Sequence, residues 1–309
     1  MEVVAAQTET AIPLVLESTR QAFLPLLQAK KSEIESVERK TFKYGPTDRH
    51  QLDIYYPPAG IEPAGGKAPI LFFVYGGGFV NGDRVFAAPY DLVYRNVGAF
   101  FAKQGIITVI PDYRLVPEVK FPQPVEDVRD AIAWVIQNPD AASSPSVKAD
   151  ITTIFVHGHS AGSNHTATMV FYPGLLPADI LSRIRGLILS GGAYQYSASL
   201  HSAVVDQYYG TGPDAQEKTP RALLDRVSDE LIARFPDVFM LVSEKEPGDL
   251  AQGNETFHGI LSKKLGKDIK FSVMKGHNHV SPHSSLMTGQ GDEWGFEVVV
   301  WIQSLVALN

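Results

Sequence analysis

The sequence predicts an α/β protein with a central, mostly parallel sheet and helices on both faces. Three observations carry that prediction. Short runs of β-branched and apolar residues recur along the chain, and most are continuous rather than alternating, as strands covered on both faces require. Stretches with helical spacing lie between them, so strand and helix alternate. The 309 residues are enough to bury a large core, and sheets of this size often form one domain, so residues 1–309 are read as a single domain.

The elements follow in chain order. Residues 1–45 carry Leu16, Phe23, Leu27 and Ile34 at helical spacing, interrupted by Pro25. They read either as a small helical cap or as a helix packed on the outside. Strands are predicted at 50–56, 70–75 and 106–110. A helix follows on Val125, Val128, Ile132 and Val135, then strands at 151–157 and 187–190. The segment 191–221 is rich in Tyr, Ser and Gly, with Tyr194, Tyr196, Tyr208 and Tyr209, and reads as an insertion covering a pocket. A helix on Leu223, Val227, Leu231 and Phe235 precedes strands at 238–242 and 269–274. The apolar stretch 298–308 is too short to span a bilayer and reads as a closing core helix.

Charge and composition narrow the function classes. The net charge is −7, and the basic residues form no run longer than pairs such as Lys30-Lys31 and Lys263-Lys264, so a nucleic acid finds no electrostatic footprint. There is no cysteine, which removes disulfides, thiolate catalysis and Cys-ligated zinc. The first residues lack the basic start and apolar stretch of a secretory signal, and a cytoplasmic protein is expected.

In a doubly wound sheet, ligands sit at the carboxyl ends of the strands, so chemistry is sought in the loops just after them. After the run at 151–156 comes Gly158-His159-Ser160-Ala161-Gly162. A serine on a sharp strand-to-helix turn needs glycine two residues to either side to avoid clashes as the chain doubles back. The turn exposes the hydroxyl, and the following helix N-terminus favours developing negative charge. The run at 70–74 ends in Tyr75-Gly76-Gly77-Gly78-Phe79, whose unobstructed N–H groups suit a tetrahedral oxyanion. A phosphate loop is the competing reading, but no Gly-Lys-Ser/Thr ending follows.

With these motifs together, the chain resembles the α/β-hydrolases similar to hormone-sensitive lipase, a group of carboxylesterases and lipases. The resemblance rests on residues 75–79, on Asp112-Tyr113-Arg114-Leu115-Val116-Pro117-Glu118, on Phe121-Pro122 through Glu126-Asp127, and on residues 158–162. It implies an α/β-hydrolase fold and an oxyanion hole of the Gly77, Gly78 and Ala161 N–H groups. It also implies that Asp112 and Arg114 brace loops rather than react. Tyr75 stands where the family usually has His, and His159 where an acidic residue is usual. The Tyr-Gly-Gly-Gly-Phe form is similar to the cholinesterase branch.

The resemblance implies a triad in the order serine, acid, histidine. The acid before a proline is Glu246, chosen over Glu244 and Asp249, and the family's spacing selects His279 as base over His277, with His283 behind. Phe79, Tyr194 and Tyr196 are the candidate substrate-contacting side chains. The His-x-His pairs at 157/159 and 277/279 invite a metal reading, but neither has a carboxylate at the expected spacing, so no metal or cofactor is expected. The expected activity is hydrolysis of a small carboxylic ester through an acyl-enzyme on Ser160. Acyl transfer or lactone formation from the same intermediate is the alternative, and a non-catalytic small-molecule receptor is the alternative of another class.

Overall fold

The computed structural model describes residues 1–61, 63, 66–195 and 203–307. Eight strands form one sheet in the order β1-β2-β4-β3-β5-β6-β7-β8. They are β1 (Arg39–Lys43), β2 (Gln51–Tyr55), β3 (Ala68–Val74), β4 (Ile107–Pro111), β5 (Ala149–His159), β6 (Ile184–Ser190), β7 (Asp237–Lys245) and β8 (Lys270–Asn278). β1 and β2 are antiparallel to their neighbours, and every later pairing is parallel. This is the α/β-hydrolase fold, with a mostly parallel sheet between helices.

The central strands owe their position to their composition. Every residue of β3, Ala-Pro-Ile-Leu-Phe-Phe-Val, is buried, as a strand covered on both faces demands. Each such Phe, Leu or Ile contributes roughly 1.5–3 kcal/mol relative to staying exposed. β8, at the sheet's edge, shows a broken pattern with Val273 exposed.

The helices are, in order, α1 (Glu2–Ala5), α2 (Ile12–Ala29), α3 (Lys31–Glu35), α4 (Arg95–Lys103), α5 (Gln123–Gln137), α6 (Pro139–Ala142), α7 (Ala161–Phe171), α8 (Ala178–Leu181), α9 (Ala203–Tyr209), α10 (Pro213–Gln216), α11 (Pro220–Asp225), α12 (Asp229–Ala233), α13 (Gly248–Leu265), α14 (Ser281–Ser285) and α15 (Glu293–Val306). α7 packs on β5 and α5 on α7. Phe155 and Phe239 turn their rings toward Trp301 of α15. The closing helix therefore caps the sheet as expected, burying Trp294, Val298, Val299 and Ile302.

Three elements differ from the sequence reading. Residues 1–45 hold a strand, β1, as well as helices, because Arg39–Lys43 pairs with β2 although its side chains are largely polar. α2 buries Val15, Thr19, Phe23 and Leu27, a face at strict four-residue spacing, and runs through Pro25, which is exposed, without ending there. The helix expected over 223–235 is two short helices. Ser228 starts the second by accepting a hydrogen bond from the Leu231 N–H at 3.3 Å, and the new cap interrupts the apolar stripe.

α2 lies alongside the loop that follows β8. The Asn278 side-chain amide donates to Thr19 Oγ1 at 2.7 Å and to Gln7 Oε1 at 2.8 Å. Arg20 lies over the rings of Phe86 and Tyr90 in the loop that follows β3. The N-terminal helices thus brace two of the loops at the carboxyl end of the sheet.

Candidate active site

Ser160 stands between β5 and α7 with φ 54° and ψ −120°, a conformation that costs a residue with a Cβ on the order of 1–3 kcal/mol. The two glycines make it possible. A Cβ added to Gly162 would lie 2.0 Å from the Val74 carbonyl oxygen, and one on Gly158 2.5 Å from the Gly162 oxygen. The Ser160 N–H donates to Ser190 O at 2.9 Å, tying the turn to the end of β6.

Sheet register brings the other two groups to this turn. Lys245 of β7 pairs with Asn278 of β8, so the next residues, Glu246 and His279, emerge side by side. His279 Nε2 lies 2.9 Å from Ser160 Oγ. His279 Nδ1 is in short contact with Glu246 Oε1, and Glu246 Oε2 accepts from the Ser243 N–H at 3.2 Å. Since the carboxylate can only accept, Nδ1 carries the proton and Nε2 is left to accept from the serine hydroxyl. Both Glu246 and His279 are buried. Gly191, at φ +51°, passes so close that an added Cβ would sit 3.2 Å from Glu246 Oε2.

The rivals are engaged elsewhere. Glu244 faces solvent and accepts from the Gly276 N–H at 2.8 Å and from Lys275 Nζ at 3.0 Å. That amide, and then Lys275, hold its carboxyl below the usual range. His277 is buried, donating from Nε2 to Gly291 O and accepting at Nδ1 from Ser281 Oγ, both at 2.8 Å. Burial pushes it down to about 4. His283 lies tilted against His159 with ring centroids 4.0 Å apart. Asp249 lies in the first turn of α13, three residues beyond the carboxylate that meets His279.

The glycine run lies opposite. Gly77 has φ +142° and Gly78 φ +60°. A Cβ on Gly77 would strike Asn81 O at 1.9 Å, whereas one on Gly78 would meet nothing within 4 Å. The N–H groups of Gly77, Gly78 and Ala161 have no acceptor among the described residues, and Ala161 is the first residue of α7, where such orphan donors are normal.

Both ends of this loop are pinned by one carboxylate. Asp112 Oδ1 accepts from Tyr75 Oη at 2.6 Å and from the Arg84 N–H at 2.7 Å, and Oδ2 is in short contact with Arg84 Nη1. Burial pushes the Asp112 carboxyl up, while Tyr75, Arg84 and Arg49 pull it back. Arg49 Nη2 donates to Tyr75 Oη at 2.7 Å and to Gly82 O at 3.0 Å. Tyr75, which departs from the family's His, thus supplies the hydroxyl that links the two charged groups. Arg114 forms a bidentate pair with buried Asp127, which also accepts from His50 Nε2 at 3.1 Å. Asp112 and Arg114 are braces, as expected. Arg49 and Arg84 went unnoticed in the sequence, because nothing local marks a surface-type arginine that folds back over a loop.

The aromatic insertion is reached in part. Phe79, at φ +71°, stacks on Tyr208 with centroids 4.3 Å apart. It forms an apolar cluster with Val116, Ala161, Tyr208, Tyr209 and Ala215, beside the nucleophile turn. Tyr208 Oη meets His165 Nδ1 at 3.1 Å, and Tyr209 Oη donates to Asn164 Oδ1 at 3.0 Å. These bonds hold α9 onto α7. Tyr194 is buried among the described residues: its ring lies against Phe257 at 4.1 Å and its hydroxyl meets Ser163 Oγ at 2.7 Å. A large ring with one polar tip filled a core gap where the sequence suggested a contact with substrate. Tyr196 lies outside the described residues.

The histidines of the two His-x-His pairs are buried, and His159 lies against both His279 and His283. His157 is buried and burial pushes it down to about 3, while burial and the neighbouring rings hold His159 and His283 well below the usual range. Among the described residues no group of three or more potential ligands is placed to hold a metal, and no helix is long and apolar enough to cross a membrane.

Fold and site define the class of an α/β-hydrolase with a strained serine at the head of α7. The comparisons with known proteins agree. Residues 52–181 match the BD-FAE family model. An esterase from Pyrobaculum calidifontis superposes with a TM-score of 0.67 at 24% identity, covering 99% of this chain and 97% of its own. Esterase LipI of Mycobacterium tuberculosis is 35% identical over 127 residues, 40% of this chain and 35% of LipI. The non-reducing polyketide synthase atr1 of Stereocaulon alpinum is 29% identical over 161 residues, half of this chain but 6% of the synthase. The chain spans less than two thirds of the length of these curated relatives. The chain thus has the α/β-hydrolase fold and is similar over part of its length to esterases.

Proposed function

We propose that this chain hydrolyses small carboxylic esters through an acyl-enzyme on Ser160. The observation that carries the reading is the unbroken chain of contacts from Ser160 Oγ through the His279 ring to the buried Glu246. In the first step Ser160 Oγ attacks the ester carbonyl carbon while His279 Nε2 takes its proton. The carbonyl oxygen becomes an oxyanion held by the N–H groups of Gly77, Gly78 and Ala161. Collapse breaks the bond to the alcohol, which leaves with the proton from His279. Water then attacks the acyl-serine, again losing its proton to His279, and the acid departs. Glu246 holds the imidazole in the required tautomer and stabilises its cation. Phe79 is proposed to contact the acyl group, since it borders the turn together with Ala161.

Residues 1–309 are read as one catalytic unit, with 1–45 a partial cap and the segment 191–221 a second one. A cytoplasmic setting belongs to the same proposal and is checked by fractionating producing cells. The direct test is turnover of a p-nitrophenyl ester of a short acid. Ser160→Ala should abolish it and also abolish labelling by a fluorophosphonate; retained turnover would defeat the assignment.

Acyl transfer is the second reading, favoured by the match to a segment of polyketide synthases. An alcohol would then replace water at the acyl-serine. Product analysis with an added alcohol separates the two, since a dominant new ester indicates transfer and free acid indicates hydrolysis.

A further inference from the structure

Resting on the reading of Ser160 and His279 as a reacting pair, we infer that His159 is a positioning residue for His279. It is the residue immediately before the serine, and its Nε2 lies 3.0 Å from the His279 main-chain oxygen. A carbonyl oxygen only accepts, so the His159 proton is on Nε2 and Nδ1 is bare. The ring is buried and wedged between two loops. On one side its centroid is 4.7 Å from the His279 ring and 4.0 Å from His283. On the other, a Cβ added to Gly76 would come within 3.1 Å of His159 Nδ1.

The consequence is geometric. Ser160 is covalently joined to His159, and His159 is hydrogen-bonded to the backbone of His279. The separation of Oγ and Nε2 is therefore fixed from both sides by a short, rigid link rather than by the Oγ–Nε2 contact alone. An ionised carboxylate in this place would have no proton to donate to that carbonyl. The histidine makes a contact that the acid would not. Burial, with His283, His279 and His157 as neighbours, keeps the ring neutral, so the donor is not bought with a charge beside the base. The base loop has other anchors, notably Asn278 on Thr19, so the link sharpens the alignment without being its sole support.

The test uses the full chain, p-nitrophenyl acetate as substrate, and fluorophosphonate titration to count competent serines. His159→Phe keeps a ring but loses the donor. Its kcat per titrated serine should fall about tenfold with KM within about twofold, as loss of alignment without loss of binding demands. His159→Gln places an amide N–H near the Nε2 position and should recover kcat to within about threefold of the parent. Should the Phe variant fail to fold, His159→Asn, whose amide is too short to reach, takes its place against Gln. Unchanged kcat in the Phe or Asn variant, or equal impairment of Gln, overturns the inference while the parent's labelling leaves the serine mechanism standing. An unlabelled parent overturns both.

Discussion

Acid should unfold this protein by way of its buried imidazoles. From an ordinary value of 6.5, burial pushes His157 and His165 down to about 3 and His277 to about 4. Below 6.5 the unfolded chain takes up protons that the native rings refuse. The stability these rings contribute is therefore complete above the unfolded value and lost as pH falls toward the folded ones. At about pH 5 each ring costs ~2 kcal/mol, and the three together ~6 kcal/mol, comparable to the entire stability of many domains. His159 and His283 are displaced in the same direction and add to the loss. Asp112, pushed up by burial, works the other way as a single group. The assay is urea denaturation followed by tryptophan fluorescence, from about pH 7.5 to about pH 5, with the midpoint falling steeply below about pH 6.5. His165→Phe should remove roughly a third of the slope assigned to the three rings. A midpoint that stays flat over that range, or a His165→Phe slope equal to the parent's, would refute the reasoning.

Two further outcomes are expected. Glu246→Gln, measured by p-nitrophenyl ester turnover, should lower kcat by about 100- to 10,000-fold with the fold intact by circular dichroism, whereas Glu244→Gln should stay within about threefold, because only the former touches the imidazole. Gly77→Ala should abolish soluble expression or activity, since its Cβ would strike Asn81 O at 1.9 Å. Gly78→Ala, which meets only open space, should lose about 1 kcal/mol of stability from its positive φ and remain measurably active in the same assay.

Much of the architecture was legible because it is periodic. The runs that became β2 to β8 are short and apolar, and the glycines around Ser160 have no other economical explanation in a strand-to-helix turn. Glu246 and His279 were legible only through the resemblance, since a lone carboxylate or imidazole carries no local mark; their meeting follows from the pairing of Lys245 with Asn278, which no single strand encodes. β1 escaped because Arg39 to Lys43 is mostly polar and pairs at an edge. Tyr194 was misjudged because an aromatic residue near a glycine-rich loop reads alike whether it lines a cleft or, as here, fills the space beside Phe257. The long-range polar braces, Arg49 and Arg84 on Asp112, depend on loops meeting across the sheet and leave no trace in spacing.

The bond from Asn278 to Thr19 joins positions 259 residues apart. During vectorial synthesis α2 emerges well before the loop that receives it, so this bond can form only after β8 has been made. Contacts of such sequence separation are paid late in folding, so this clasp between the histidine loop and α2 belongs to the closing stage of the fold.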